Sequence, residues 1–121
     1  MKSEPSDQYM FLVRGPNCGH GKSPEEMQKH MTEVYAWIDG LTRQGVMTAA
    51  QPLSPEGRLV SGHGGSVVSD GIAAESKEAV GGFFIVNATS LDEAVRIAQS
   101  GPMFGNGGML EVRHIAQLQC D

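Results

Sequence analysis

The chain has 121 residues and a formal net charge of −5, with 9 Lys and Arg against 14 Asp and Glu, and its pI is near 5.3. A nucleic-acid binder clusters basic residues to neutralise phosphates, and an anionic membrane surface asks for the same; no such cluster is present, so neither partner is expected. No apolar run approaches the roughly 20 residues of a membrane-spanning helix. Residues 1–8 lack a charged-then-apolar leader pattern, so the expected location is cytoplasmic. The length fits one domain over residues 1–121, with residues 1–7 expected to form a flexible tail. Two cysteines, Cys18 and Cys120, are too few for a disulfide framework. No cofactor is expected, because a chain this short cannot enclose a large one without help from a partner.

In chain order, Gln8–Arg14 reads as a strand, apolar on both faces and so central in a sheet. Residues 15–22 are loop by their Gly, Pro and Asn content. Ser23–Gln44 is the clearest helix: Ser23 suits the N-cap, Pro24 the first helical position, and Glu26 completes a capping box. Met27, Met31, Val34, Tyr35, Ile38 and Leu41 follow the spacing of one buried face, and Gly45 supplies the stop. Val46–Ala50 is a short strand. Arg58–Ser61 and Ser66–Ser69 form a hairpin joined through residues 62–65. Gly82–Asn87 is a second buried strand. Ser90–Ser100 is a second helix with a Ser90–Glu93 capping box and a buried stripe of Leu91, Ala94, Val95 and Ala98. Met109–Ile115 is the last strand.

Without the hairpin this order is a split β-α-β-β-α-β pattern, the ferredoxin-like motif of an α+β fold. Two helices then cover one face of an antiparallel sheet. Residues 9–13 and 83–86 are apolar on both faces, so the other face needs cover as well. The simplest cover is a second copy of the same sheet, and a homodimer is expected.

Several stretches together resemble one family. They are Ser23-Pro24-Glu25-Glu26-Met27 with His30, then Gln51-Pro52-Leu53. Asp70-Gly71 is followed by Glu75, Lys77 and Glu78 and then Gly81-Gly82-Phe83-Phe84. Ser90-Leu91-Asp92-Glu93-Ala94 and Glu111-Val112-Arg113 complete the set. The chain is similar to the YCII-related family, and within it to the subgroup marked by an Asp-Gly-Pro-Phe motif. Here Ile72-Ala73 stand where that motif has Pro-Phe, which frees the turn from a fixed φ. The resemblance implies a dimeric α+β barrel with a pocket between helix and sheet. It also implies an acid–base dyad, a His on the first helix with an Asp just before a Pro after the second. Some relatives dehydrochlorinate an aromatic compound. Others are associated with extracytoplasmic-function sigma factors or carry a transcription-initiation label.

By that resemblance His30 and Asp70 are the candidate catalytic residues, and Trp37, Lys77, Glu78 and Arg113 the candidate ligand contacts. The imidazole is the side chain that ordinarily titrates near neutral pH, and 100° per residue places His30 beside Trp37 near the edge of the buried stripe. The dyad Asp has no counterpart, since Gly101 stands before Pro102; Asp70 is the remaining carboxylate for the role. Arg113 has Glu111 or a carboxylate ligand as its possible partner; against these stand plainer readings: a structural histidine, an Asp-Gly turn with a solvated charge run, and an edge-strand arginine. Cys18, His20, His63 and His114 are too scattered for a zinc site, and no metal is expected. Two functions remain open. One is lyase or acid–base chemistry on a small anion, aromatic or not, through His30. The other is a non-catalytic ligand-binding or interaction module, accessory to sigma-factor transcription initiation.

Overall fold

A computed structural model describes residues 6–15, 23–71, 79–105 and 108–116. Its elements are β1 (Asp7–Arg14), α1 (Pro24–Arg43), β2 (Met47–Pro52), β3 (Arg58–Ser61), β4 (Val67–Asp70), β5 (Val80–Ala88), α2 (Leu91–Gln99) and β6 (Met109–His114). A single turn of 3₁₀ helix at His63–Gly65 joins β3 to β4.

Alternation along the strands decides the architecture. Side chains on a strand point to opposite faces in turn, and in β1 Tyr9 and Phe11 are buried while Met10 and Leu12 are half-buried. The same rhythm runs through β5, where Gly82, Phe84, Val86 and Ala88 are buried. The order β2-β5-β1-β6, antiparallel at every junction, is the ferredoxin-like arrangement, with β1 and β5 central as their two-sided apolar character requires. Phe11 stands opposite Phe84 on one side and Val112 on the other. These residues meet Val34, Ala94 and Ala98 of the helices to make the core.

The helix termini follow the local signals. Ser23 Oγ accepts from the Glu26 amide at 3.1 Å, and the Glu26 carboxylate accepts from the Ser23 amide at 2.9 Å, closing a capping box. At the other end the Val46 amide donates to the Leu41 carbonyl and the Gly45 amide to Thr42, a Schellman stop. Its left-handed residue is Gly45, φ +76°. At α2 only half of the expected box forms. Ser90 Oγ accepts from the Glu93 amide, but the Glu93 carboxylate accepts from the Thr89 amide and hydroxyl instead of from Ser90.

Val34, Ile38 and Leu41 on α1 and Ala94 and Ala98 on α2 face inward as expected, and each stripe departs from expectation at its other large residues. Tyr35 is 63% exposed, and Trp37 packs on the core with Ile38 and Leu41. The large indole is held by ring contacts and a hydrogen bond described below, which turn α1 toward it. On α2, Leu91 and Val95 are exposed and Ile97 packs inward with Ala94 and Ala98. Small alanines let α2 lie close to the sheet, and the close approach selects that face over the bulkier one. Strand bounds also move: β2 runs on to Pro52, β4 begins at Val67, β5 starts at Val80 and β6 ends at His114. Asp7 belongs to β1, opposite Ala88, and not to a tail; residues 1–5 lie outside the described residues.

The helix-free face carries Met10, Leu12, Phe83 and Ile85, with Ala49 beside them. Register places Met10 opposite Ile85, Leu12 opposite Phe83, and Ala49 opposite Ile85. None belongs to the core on the other side, and among the described residues no helix packs on this face.

Asp7 fastens the two chain-terminal strands. Its carboxylate pairs with His114 Nε2, the ring of which lies 5.1 Å from that of Tyr9. The His114 hydrogen bond, aided by the Gln8 amide, holds the Asp7 carboxyl below its ordinary 3.8. A carboxyl depressed on folding adds stability above its unfolded value and loses it as pH falls through the folded one. Asp7→Asn should therefore lower the melting temperature at neutral pH and flatten its decline between about pH 5 and 3. A decline as steep as in the parent, by calorimetry, would show that the pair contributes nothing.

Candidate functional site

Helix α1 presents His30 and Trp37 seven residues apart, which is about two turns, or roughly 10 Å, along one face. Trp37 is fixed on three sides. Its ring meets Phe84 edge-on at a centroid distance of 5.2 Å, so the indole stands on the helix-covered face of the sheet. Its Nε1 donates to Ser100 Oγ at 2.9 Å, and Ser100 Oγ donates to the Ile97 carbonyl at 2.6 Å. Its benzo edge abuts Gly101. A Cβ added at Gly101 would lie 3.1 Å from Trp37 Cζ2 and 2.9 Å from Met103 Sδ.

Position 101 is where the expected dyad would place its Asp. The space a side chain there would enter is already held by Trp37 and Met103. His30 is half-buried and has no hydrogen bond or ion pair with any described residue. A dyad through position 101 therefore cannot form in this chain.

Asp70 lies elsewhere. It ends β4, opposite Arg58 at the base of the hairpin, and is exposed. Among the described elements the hairpin packs chiefly on itself and its connecting turn, and no hydrogen bond or ion pair joins Asp70 to His30 among the described residues. Lys77 and Glu78, like Cys18 and His20, lie outside the described residues.

Arg113 is on the other face of the sheet. Its register partner is Met10, a helix-free-face residue, so the sheet separates Arg113 from Trp37 within one chain. There Glu111 joins two cations: its carboxylate accepts from Arg14 Nε at 2.5 Å and from Arg113 at 3.2 Å. The Arg14 hydrogen bond, chiefly, holds the Glu111 carboxyl below its ordinary 4.5, with Arg113 adding to it. Sequence reasoning paired Glu111 with Arg113; it missed Arg14, which is 97 positions away in sequence from Glu111 and meets it only through the β1–β6 register. It also missed the Asp7–His114 pair for the same reason. Ser100 and Met103 as supports of Trp37 carried no local signal, although the Gly101-Pro102 break at the helix end marks where the chain turns under the indole. Among the described residues no group of three His, Cys, Asp or Glu side chains is placed to hold a metal ion, and no helix is long and apolar enough to cross a membrane.

The element order and the sheet order are those of a ferredoxin-like α+β fold, and the model of one family, that of the YCII-related domain, matches residues 8–119. The chain belongs to the YCII-related family. No curated protein matches it.

Proposed function

We propose that this YCII-related domain is a homodimeric small-molecule-binding protein that has given up the family's dyad chemistry, with His30 and Trp37 as ligand contacts. The observation that supports this most strongly is the occupation of the acid's place at position 101 by Trp37 and Met103. A general acid–base pair needs its second member within hydrogen-bond reach. His30 without a carboxylate can still donate to, or accept from, a bound anion, and an indole edge can line an apolar wall. Small aromatic carboxylates combine the two needs. Lyase or acid–base turnover through His30 alone is the second reading. It draws on the half-buried imidazole, which makes no hydrogen bond or ion pair among the described residues.

The two readings part on one variant. Benzoate, salicylate and 4-hydroxybenzoate would be titrated against the parent and His30→Ala by calorimetry. Binding predicts that His30→Ala weakens the best of the three by about tenfold, the worth of one charge-assisted hydrogen bond, with no product formed by either protein. Turnover by the parent that vanishes in His30→Ala at unchanged affinity would favour the enzyme. Equal affinity with no turnover by either would remove His30 from the site.

The dimer rests on the helix-free face. Among the described residues no helix covers the four half-buried apolar side chains of this face, which ask for a second layer, and the same face of a second copy, meeting it across a two-fold axis, supplies one.

A further inference from the structure

Trp37 carries one polar side-chain atom, and the end of α2 takes it. Its Nε1–H donates to Ser100 Oγ at 2.9 Å, and Ser100 Oγ donates to the Ile97 carbonyl at 2.6 Å. The second bond fixes the sense of the first: with its proton on the carbonyl three residues back, the hydroxyl meets the indole as an acceptor. Ser100 keeps helical backbone angles at the C-cap of α2, φ −78° and ψ −7°, which lets it reach that carbonyl. Gly101 follows and leaves room for the ring. A Cβ there would lie 3.1 and 3.2 Å from Trp37 Cζ2 and Cε2, the two carbons that continue the edge from Nε1. The nitrogen-bearing edge of the indole is therefore turned to the α2 terminus, and the rest of the ring is carbon.

We infer that Ser100 is a positioning residue that sets ligand specificity: by holding the indole N–H it makes Trp37 a wall without a donor, which selects ligands that are apolar at the end remote from their anion. The inference rests on the reading of His30 and Trp37 as ligand contacts and adds what that site rejects. The two residues stand about two turns, roughly 10 Å, apart on one face of α1. An aromatic carboxylate held by His30 at its anionic end extends its para position towards Trp37. A para hydroxyl brought there gives up water and meets an N–H already bonded to Ser100. A polar group left without a partner costs more than the hydrogen bond would have contributed.

The test is calorimetric titration of benzoate and 4-hydroxybenzoate into the parent, Ser100→Ala and Ser100→Thr. The parent should bind benzoate at least about threefold more tightly than 4-hydroxybenzoate. Ser100→Ala releases the indole N–H to the ligand hydroxyl and should shift that ratio at least about threefold towards 4-hydroxybenzoate. Ser100→Thr, whose hydroxyl also bonds the carbonyl one turn back in helical backbone, should keep the parent's ratio. Trp37 is the only tryptophan, so its emission should change in Ser100→Ala and match the parent's in Ser100→Thr. A merely structural loss in Ser100→Ala weakens both acids alike, and an unmoved ratio would overturn the inference. The parent's own ratio needs no variant: equal or tighter binding of 4-hydroxybenzoate would overturn it too. If the ratio fails while His30→Ala still weakens benzoate binding, the site stands without Ser100; if neither acid binds the parent, both readings fall.

Discussion

Ile85→Glu is expected to give a folded protein that is monomeric at concentrations where the parent is a dimer. Ile85 lies on central strand β5, between Met10 and Ala49 on the helix-free face. Among the described residues no helix covers that face in a lone chain, so a carboxylate there should cost the monomer little. In a two-fold dimer the substitution acts twice, removing two aliphatic anchors and burying two unpaired charges. Breaking apolar contact while leaving a charge unpaired in a buried site costs several kcal/mol, and about 1.4 kcal/mol is a factor of ten. The dissociation constant should rise at least about 100-fold. Sedimentation would read it, and a circular dichroism spectrum like the parent's would show that the fold survived. Ile85→Ala should fall between the two. An Ile85→Glu protein that remains dimeric would place the interface elsewhere.

Gly101→Asp restores the acid that the family resemblance calls for and is expected to harm the protein without creating a dyad. A Cβ at this position meets Met103 Sδ at 2.9 Å and the Trp37 ring at 3.1 and 3.2 Å. Sulfur on a flexible side chain can retreat; the indole, tied to Ser100 and stacked edge-on against Phe84, cannot do so without losing both contacts. Overpacking of this kind costs about 1–3 kcal/mol, and a carboxylate beside an apolar ring adds a desolvation term. A loss of about 2–4 kcal/mol in urea unfolding is expected, with a change in Trp37 fluorescence as the indole shifts. Turnover of an aromatic substrate gained by Gly101→Asp would show that Trp37 yields its place and that the dyad was only dormant.

Much of the fold is written in local patterns. The box at Ser23–Glu26 and the stop at Gly45 depend on neighbours in sequence and appear where periodicity and capping place them. The two-sided apolar character of residues 9–13 and 83–86 reports a central position before any strand pairing is known. What local pattern could not fix is helix rotation. Tyr35 and Trp37 are both large and amphipathic, and the choice between them is made by Phe84 and Ser100, which are distant in sequence. Leu91 and Val95 lose to Ala94 and Ala98 because close approach to the sheet favours small side chains over apolar ones in general.

The site was legible in outline only. His30 could be singled out by family position, and Gly101 marked the missing acid. That Trp37 fills the acid's place follows from where α1 and the α2–β6 connection meet, a long-range fact. Arg113 shows the limit from the other side: its residue type suits an anion, but strand parity turns it to the face opposite Trp37. Whether it meets a ligand at all then depends on what covers the helix-free face, and the same question governs Arg14 and Glu111.

Light scattering on the intact chain at micromolar concentration answers that question most directly. Twice 12.9 kDa, or 25.8 kDa, is the mass a paired sheet predicts. A mass of 12.9 kDa under the same conditions would contradict it, because Met10, Leu12, Phe83 and Ile85 would then stand without a second layer.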